Sequence, residues 1–420
     1  MPTGQGTGEG PARFWRDTLW LNAGALAAGL GNVLYHVVVA RLLGPAAYGV
    51  LAGLGTVVTL LELPVAAVAV VFTRAGESPR TFGRTAALAL ALGALLGLAA
   101  AAAAGRLAAV FRLPVGLLRL AGLAVVPAFL YGVAVGVLQW AGRFVPVGVL
   151  LALDAVSRAG GAGITALAGW GLTGLVALMP VLTAAVTGFA VVLARRALGR
   201  AAGEGRIRHG GLGRAGWVGL MITVMTTADV LVVKHALPPV AAGLYSGLAT
   251  LGRAPAYFSG AIGAVLLSTA QRDPARGPAY LARALALTAA LGLAGLAVYA
   301  AAGPPIVRLT LGTAFFPLLP YVVGFTAAMG VQGLVVVLLY YEAAAGGRLL
   351  VGLATAGTVA WLAALWTVGS LSALVHRSVG IWGLTVLAMG LGAVRHRKPP
   401  LPGGPGTRLP GAKPQERVGR

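Results

Sequence analysis

The sequence predicts an all-α polytopic membrane protein, with about 12 transmembrane helices in two parallel-related six-helix bundles around a central cavity. Three observations carry this expectation. Of 420 residues, 58% are hydrophobic and only 10% are charged, with a mean hydropathy of +0.88. A soluble domain carries roughly 25% charged residues and could not cover a water-facing surface with this composition. The apolar residues also fall into 12 runs near the ~20-residue length that crosses a bilayer, and a segment of the first half recurs in the second.

In order, the runs are 18–40, 48–72, 85–104, 119–139, 146–168, 172–194, 214–235, 241–268, 281–302, 318–341, 349–370 and 373–394. The first exceeds a signal-peptide core and is expected to stay as a helix. Pro64, Pro127, Pro180 and Pro255 fall inside the second, fourth, sixth and eighth runs, where a missing N–H kinks a helix, either as a hinge or as static curvature. Five segments follow: an N-terminal tail 1–17, a bundle 18–194, a basic linker 195–213, a second bundle 214–394 and a basic tail 395–420. That last tail is rich in Pro and is expected to be disordered beside anionic membrane lipids.

The net charge of +22 would ordinarily raise nucleic acid as a partner. Position argues against it, because most basic residues sit in short gaps between apolar runs. With the N-terminus inside, the inner segments hold 23 Lys and Arg and the outer segments seven. The positive-inside rule then puts both termini in the cytoplasm, and the expected location is a bacterial cytoplasmic membrane.

Residues 38–56 align without gaps to 232–250, with nine of 19 positions identical, among them Pro45/Pro239, Gly49/Gly243, Gly53/Gly247 and Thr56/Thr250. The offset of 194 residues spans six helices, so the copies share an orientation. Parallel repeats of this kind form a transporter plan with the path between the halves. GxxxG spacings at Gly49/Gly53, Gly132/Gly136 and Gly243/Gly247 predict close helix packing.

No catalytic pattern is visible, and no enzyme activity, cofactor or metal is expected. With no Cys there is no thiolate chemistry, and no Lys follows a Gly, so there is no Walker A loop. The five His show no ligand spacing. An embedded glycosyltransferase would want acidic residues on a sizeable outer loop, and these loops are short.

Charges within spanning helices need a partner, a cavity or a function. They are Glu62, Asp154, Arg158, Asp229 and Arg253, with Arg41, Lys234 and Glu342 near helix ends. Asp154 and Arg158 share a face at i, i+4 and read as a structural pair. Asn22, Gly29, Asn32 and His36 form one polar stripe, and Ser246, Thr250, Arg253 and Tyr257 another, while Thr56, Thr59 and Glu62 form a looser one. The candidate substrate-binding set is Arg253, Arg41, Asn32, His36, Thr250 and Tyr257. Asp229 and Glu62 are the candidates for coupling or gating.

The stretch NVLYHVVVARLLGPAAYGVLAGLGTVVTLLELPV resembles the opening helices of bacterial polysaccharide or oligosaccharide flippases of the multidrug/oligosaccharidyl-lipid/polysaccharide exporter superfamily. TTADVLVVKHALPPVAAGLYSGLATLGRAP resembles that family's seventh and eighth helices. Many relatives have 14 helices, so 12 is a departure. The resemblance implies a central cationic cavity and a lipid-linked oligosaccharide substrate on a polyprenyl diphosphate carrier, moved from the inner to the outer leaflet. A polysaccharide polymerase and glycosyltransferases are the implied protein partners. Two alternatives stay open: a drug or metabolite cation antiporter of the same superfamily, and a nontransporting scaffold in envelope or spore assembly.

Overall fold

The computed structural model describes residues 11–65, 79–198 and 212–395. Of the expected N-terminal tail (1–17), residues 1–10 lie outside the described residues and the rest is helix from Pro11; also outside are 396–420 of the C-terminal tail (395–420), 199–211 of the linker (195–213), and 66–78, which covers the end of the second run (48–72) and the residues after it. Among the described residues every regular element is a helix: α1 (Pro11–Leu61), α2 (Pro79–Phe111), α3 (Val115–Gly122), α4 (Val125–Trp140), α5 (Phe144–Ala168), α6 (Gly171–Leu198), α7 (Leu212–Ala236), α8 (Pro239–Gly252), α9 (Ala254–Arg272), α10 (Gly277–Thr310), α11 (Leu319–Ala345), α12 (Leu349–Trp366) and α13 (Leu371–Arg395).

Among the described residues, ten stretches are long and apolar enough to cross a membrane. Two further passes bring the count to 12. Ala27–Val65 counts as one stretch, yet α1 reverses at Gly44, whose φ of 65° and ψ of 175° are not helical. His36 and Tyr48 would lie ~18 Å apart on a straight helix, and instead they hydrogen bond at 2.8 Å. The other pass is α8–α9, interrupted at Arg253.

The fourth and eighth runs, expected as single helices, are each two pieces, and proline chemistry gives the reason. Pro127 and Pro255 cannot donate to the carbonyls four residues back, Leu123 and Leu251. The helix breaks at Leu123–Ala124 and again at Arg253. Tyr299 on α10 donates its hydroxyl to the Leu251 carbonyl at 2.8 Å, filling the acceptor that Pro255 leaves open. Pro180, by contrast, sits inside a continuous α6. Several helices also outrun their apolar cores: α10 covers Gly277–Thr310 where hydropathy alone marks 281–302.

The repeat is visible as geometry. Pro45 and Pro239 each begin the returning helix of a hairpin, after Gly44 and Pro238. Between the hairpins, Gly49 meets Gly243. A Cβ on Gly49 would lie 2.8 Å from the Gly243 Cα, and one on Gly243 would lie 1.8 Å from the Pro45 carbonyl oxygen. Only two glycines let these backbones touch. Close approach also joins α1 to α5, where a Cβ on Gly24 would stand 2.3 Å from the Gly148 carbonyl oxygen. Glu342, near the end of α11, accepts from the Leu350 N–H in the first turn of α12 at 3.2 Å, which satisfies a helix N-terminus.

Candidate functional site

A cavity of about 430 Å³ lies between the halves. The first half supplies most of its wall, from α1, α4, α5 and α6; the second half supplies Thr227, Val230, Ser246, Ala249, Thr250, Arg253 and Tyr257. From Tyr48 on the returning limb of α1 to Val65 just past its end, the lining runs away from the Gly49–Gly243 contact.

A hydrogen-bonded chain closes the Gly49 end. Tyr48, 1% exposed, bonds through its hydroxyl to His36 Nδ1 at 2.8 Å and to Thr250 Oγ1 at 2.8 Å. Thr250 donates in turn to the Ser246 carbonyl at 2.9 Å, and its repeat equivalent Thr56 donates to Ala52 in the same way, also at 2.9 Å. These back-bonds are the repeat's shared chemistry, whereas the Tyr48–Thr250 bond joins the two halves. Sequence patterning placed His36 and Thr250 in the candidate set but passed over Tyr48, whose neighbours at 47 and 49 are Ala and Gly and show no polar stripe.

Two arginines reach the cavity in different states. Arg158 is 51% exposed and holds Asp154, 29% exposed, through its terminal nitrogen at 2.7 Å and Nε at 3.3 Å. The expected pair forms, but it faces the cavity and is not buried. Arg253 is 4% exposed and is ion-paired to the fully buried Asp229, which also accepts from the Tyr245 hydroxyl. Asp229 Oδ1 and Arg253 Nε remain without partners. The break before Pro255 places Arg253 at the junction of two helices, as the residue that ends α8 and whose carbonyl accepts the Tyr257 N–H at the start of α9.

Asn32 and Tyr257 are exposed and line the cavity. Glu62 lines it too, and among the described residues it makes no ion pair or side-chain hydrogen bond. Asn22 belongs to the same expected stripe as Asn32, and its side chain lies outside the described residues. Arg41 departs from expectation. It lies outside the cavity and donates to the carbonyls of Arg308 and Leu309 at 3.4 and 2.5 Å, because its place one turn before the Gly44 reversal carries it beyond the closed end. Among the described residues, the cavity lining shows no cationic surplus of the kind the resemblance implies. Each arginine already has a carboxylate, and Glu62 adds a negative charge. No group of three or more His, Asp or Glu among the described residues could hold a metal.

The fold is that of known transporters. An inward-facing multidrug resistance MATE family transporter of the MOP superfamily matches with a TM-score of 0.69 at 13% identity, over 88% of this chain and 94% of that one. Lipid II flippase MurJ, in an inward closed conformation, matches with 0.69 at 13% identity over 90% and 87%. An outward-facing MATE transporter gives 0.61 at 14% over 94% and 98%. No curated protein sequence matches. A family model described as polysaccharide biosynthesis protein matches residues 38–320, about two thirds of the chain, and the chain belongs to that family.

Proposed function

We propose that this protein is a secondary transporter that moves a polyprenyl-diphosphate-linked oligosaccharide from the inner to the outer leaflet of a bacterial cytoplasmic membrane. Membership of the polysaccharide biosynthesis family supports the substrate class, and the fold shared with transporters supports transport over catalysis.

The observation that carries the reading is Arg158. Its guanidinium stands half exposed in a cavity inside the bundle, held by a carboxylate on its own helix. A diphosphate can displace Asp154 and take the same planar fork in two places. Asn32, His36, Thr250 and Tyr257 line the space around it and are suited to sugar hydroxyls. The positive-inside count puts the Val65 end at the cytoplasm, so this conformation would load from within. Arg253 would join the substrate only after leaving Asp229, with Glu62 and Asp229 carrying the coupling.

The test is reconstitution. Vesicles containing the purified protein should move a fluorescent polyprenyl-diphosphate oligosaccharide between leaflets, and Arg158→Gln should slow this at least tenfold without loss of folded protein. Normal flipping by Arg158→Gln would remove Arg158 from the substrate path. A specific observation favours a second reading: Glu62, which has no ion-pair partner among the described residues, would suit a cationic drug or metabolite. Proton-coupled efflux of organic cations, with no flipping in the same vesicles, would establish that reading instead.

A further inference from the structure

The closed end of the bundle carries basic side chains and no acids. Segments 41–47, 105–118, 235–240, 303–318 and 367–377 contain no Asp or Glu, so these cations have no carboxylate to pair with. They turn to helix C-termini, where the last carbonyls lack partners and the helix dipole is negative. Arg41 donates to Arg308 and Leu309 at the end of α10. His235 bonds the Val110 carbonyl, at the end of α2, through Nδ1 at 2.8 Å. Its ring stacks on Trp366 with centroids 4.1 Å apart.

Arg41 and His235 are equivalents under the 194-residue offset. Their acceptors correspond as well, since Val110 and Leu309 are the penultimate residues of α2 and α10. Each bond crosses from one half to the other. A third crossing bond runs from Arg112 to the Leu237 carbonyl at 3.2 Å. Arg112 has a φ of 52°, the only positive value at a described residue other than glycine. A fourth basic residue, Arg377, caps Ala364 on α12 at 2.6 Å. That bond stays within the second half and so cannot hold the halves together.

From this placement we infer that Arg41 and His235 form a repeat-symmetric latch, with Arg112 as its third bond, which holds this end of the transport path shut and must release for the opposite state to form. The design follows from the sequence. A parallel repeat puts the same residue of each hairpin beside the other half's helix end. Carbonyl acceptors can be exchanged for water when the halves part, whereas a buried ion pair would leave two charges stranded. The Gly49–Gly243 contact lies beneath the latch and would part with it.

The inference needs a second conformational state but no particular substrate, so a failed flipping assay leaves it standing. The native chain has no Cys, so Ser246→Cys can act as a single reporter. Ser246 lines the cavity and is 3% exposed. A membrane-impermeant maleimide would be presented from the latch side: intact cells if the termini are cytoplasmic, inverted vesicles if they are not. Arg41→Gln with His235→Gln should raise the labelling rate about tenfold, equivalent to ~1.4 kcal/mol, and each single change should give part of that. Arg377→Gln should leave the rate unchanged. Should the double variant accumulate poorly, Arg41→Lys and His235→Asn decide by the same ratio. A wild-type rate in folded latch variants, or an equal rise with Arg377→Gln, would overturn the latch.

Discussion

Replacing Asp229 by Asn tests whether Arg253 serves the fold or the substrate. Asp229 is fully buried and Arg253 is 4% exposed, and the two are ion-paired with Tyr245 donating to the same carboxylate. Asn keeps the shape and removes the charge, leaving a guanidinium in the protein interior with Nε already unpartnered. Breaking a buried pair from one side costs ~3–5 kcal/mol, while replacing both partners with apolar groups of similar volume is often neutral or stabilising. Asp229→Asn should therefore lower stability by about that amount in SDS unfolding of the purified protein. Asp229→Leu with Arg253→Met should recover most of the loss. Transport by the double variant then separates the roles. If it is folded and flips normally, Arg253 has no part in substrate binding; if it is folded and inactive, the arginine does more than neutralise Asp229. A single variant within ~1 kcal/mol of wild type would refute the reasoning, since it would mean that Arg253 finds water or another partner without its carboxylate.

Three further outcomes follow from local geometry. Gly243→Ala puts a methyl 1.8 Å from the Pro45 carbonyl oxygen; this overpacking should cost ~1–3 kcal/mol in the closed-end state alone and so raise maleimide labelling of the Ser246→Cys reporter. Tyr299→Phe removes the donor to Leu251 left by Pro255, and the orphaned carbonyl should cost ~1–3 kcal/mol in SDS unfolding. Asp154→Asn should change stability by less than ~1 kcal/mol, as for exposed pairs, because the pair opens to the cavity; a larger loss would return it to a structural role.

Helices, passes and the repeat were legible because hydropathy and glycine spacing are local signals. The breaks at Leu123–Ala124 and Arg253 were half legible: Pro127 and Pro255 announced them, but α6 runs straight through Pro180. Whether a proline breaks a helix depends on what neighbouring chains supply. The charges were found individually and their partners only in part. Asp154 with Arg158 is an i, i+4 pair that sequence can read. The buried Asp229–Arg253 bond spans two helices, so the spacing along either one does not show it. Arg41 was legible as a charge near a helix end, but its acceptors, the carbonyls of Arg308 and Leu309 in the other half, were not. Tyr48, which joins His36 to Thr250, carried no sequence signal, since its importance comes from the hairpin that Gly44 creates.

The two halves share a backbone and differ in charge, and this division bears on how the protein works. The positions identical across the repeat include the prolines that start each returning helix, the glycines where the hairpins touch and the threonines that bond back to Ala52 and Ser246. The charged positions at the cavity and in the buried pair are not shared. Asp229 corresponds to Tyr35, Arg253 to Thr59, and Glu62 to Ala256. On the proposed transport function, a symmetric scaffold would let the two hairpins part and close as equivalent bodies. Symmetric charges would place like beside like near the pseudo-axis, at a cost that rises in a low-dielectric interior. The asymmetry gives each half one arginine already answered by a carboxylate, Arg158 in the first and Arg253 in the second. One of these pairs faces the cavity and the other is sealed. Reopening the sealed pair would present a second guanidinium across the cavity from the first, so that an anionic head group would meet one arginine in this conformation and two in the next.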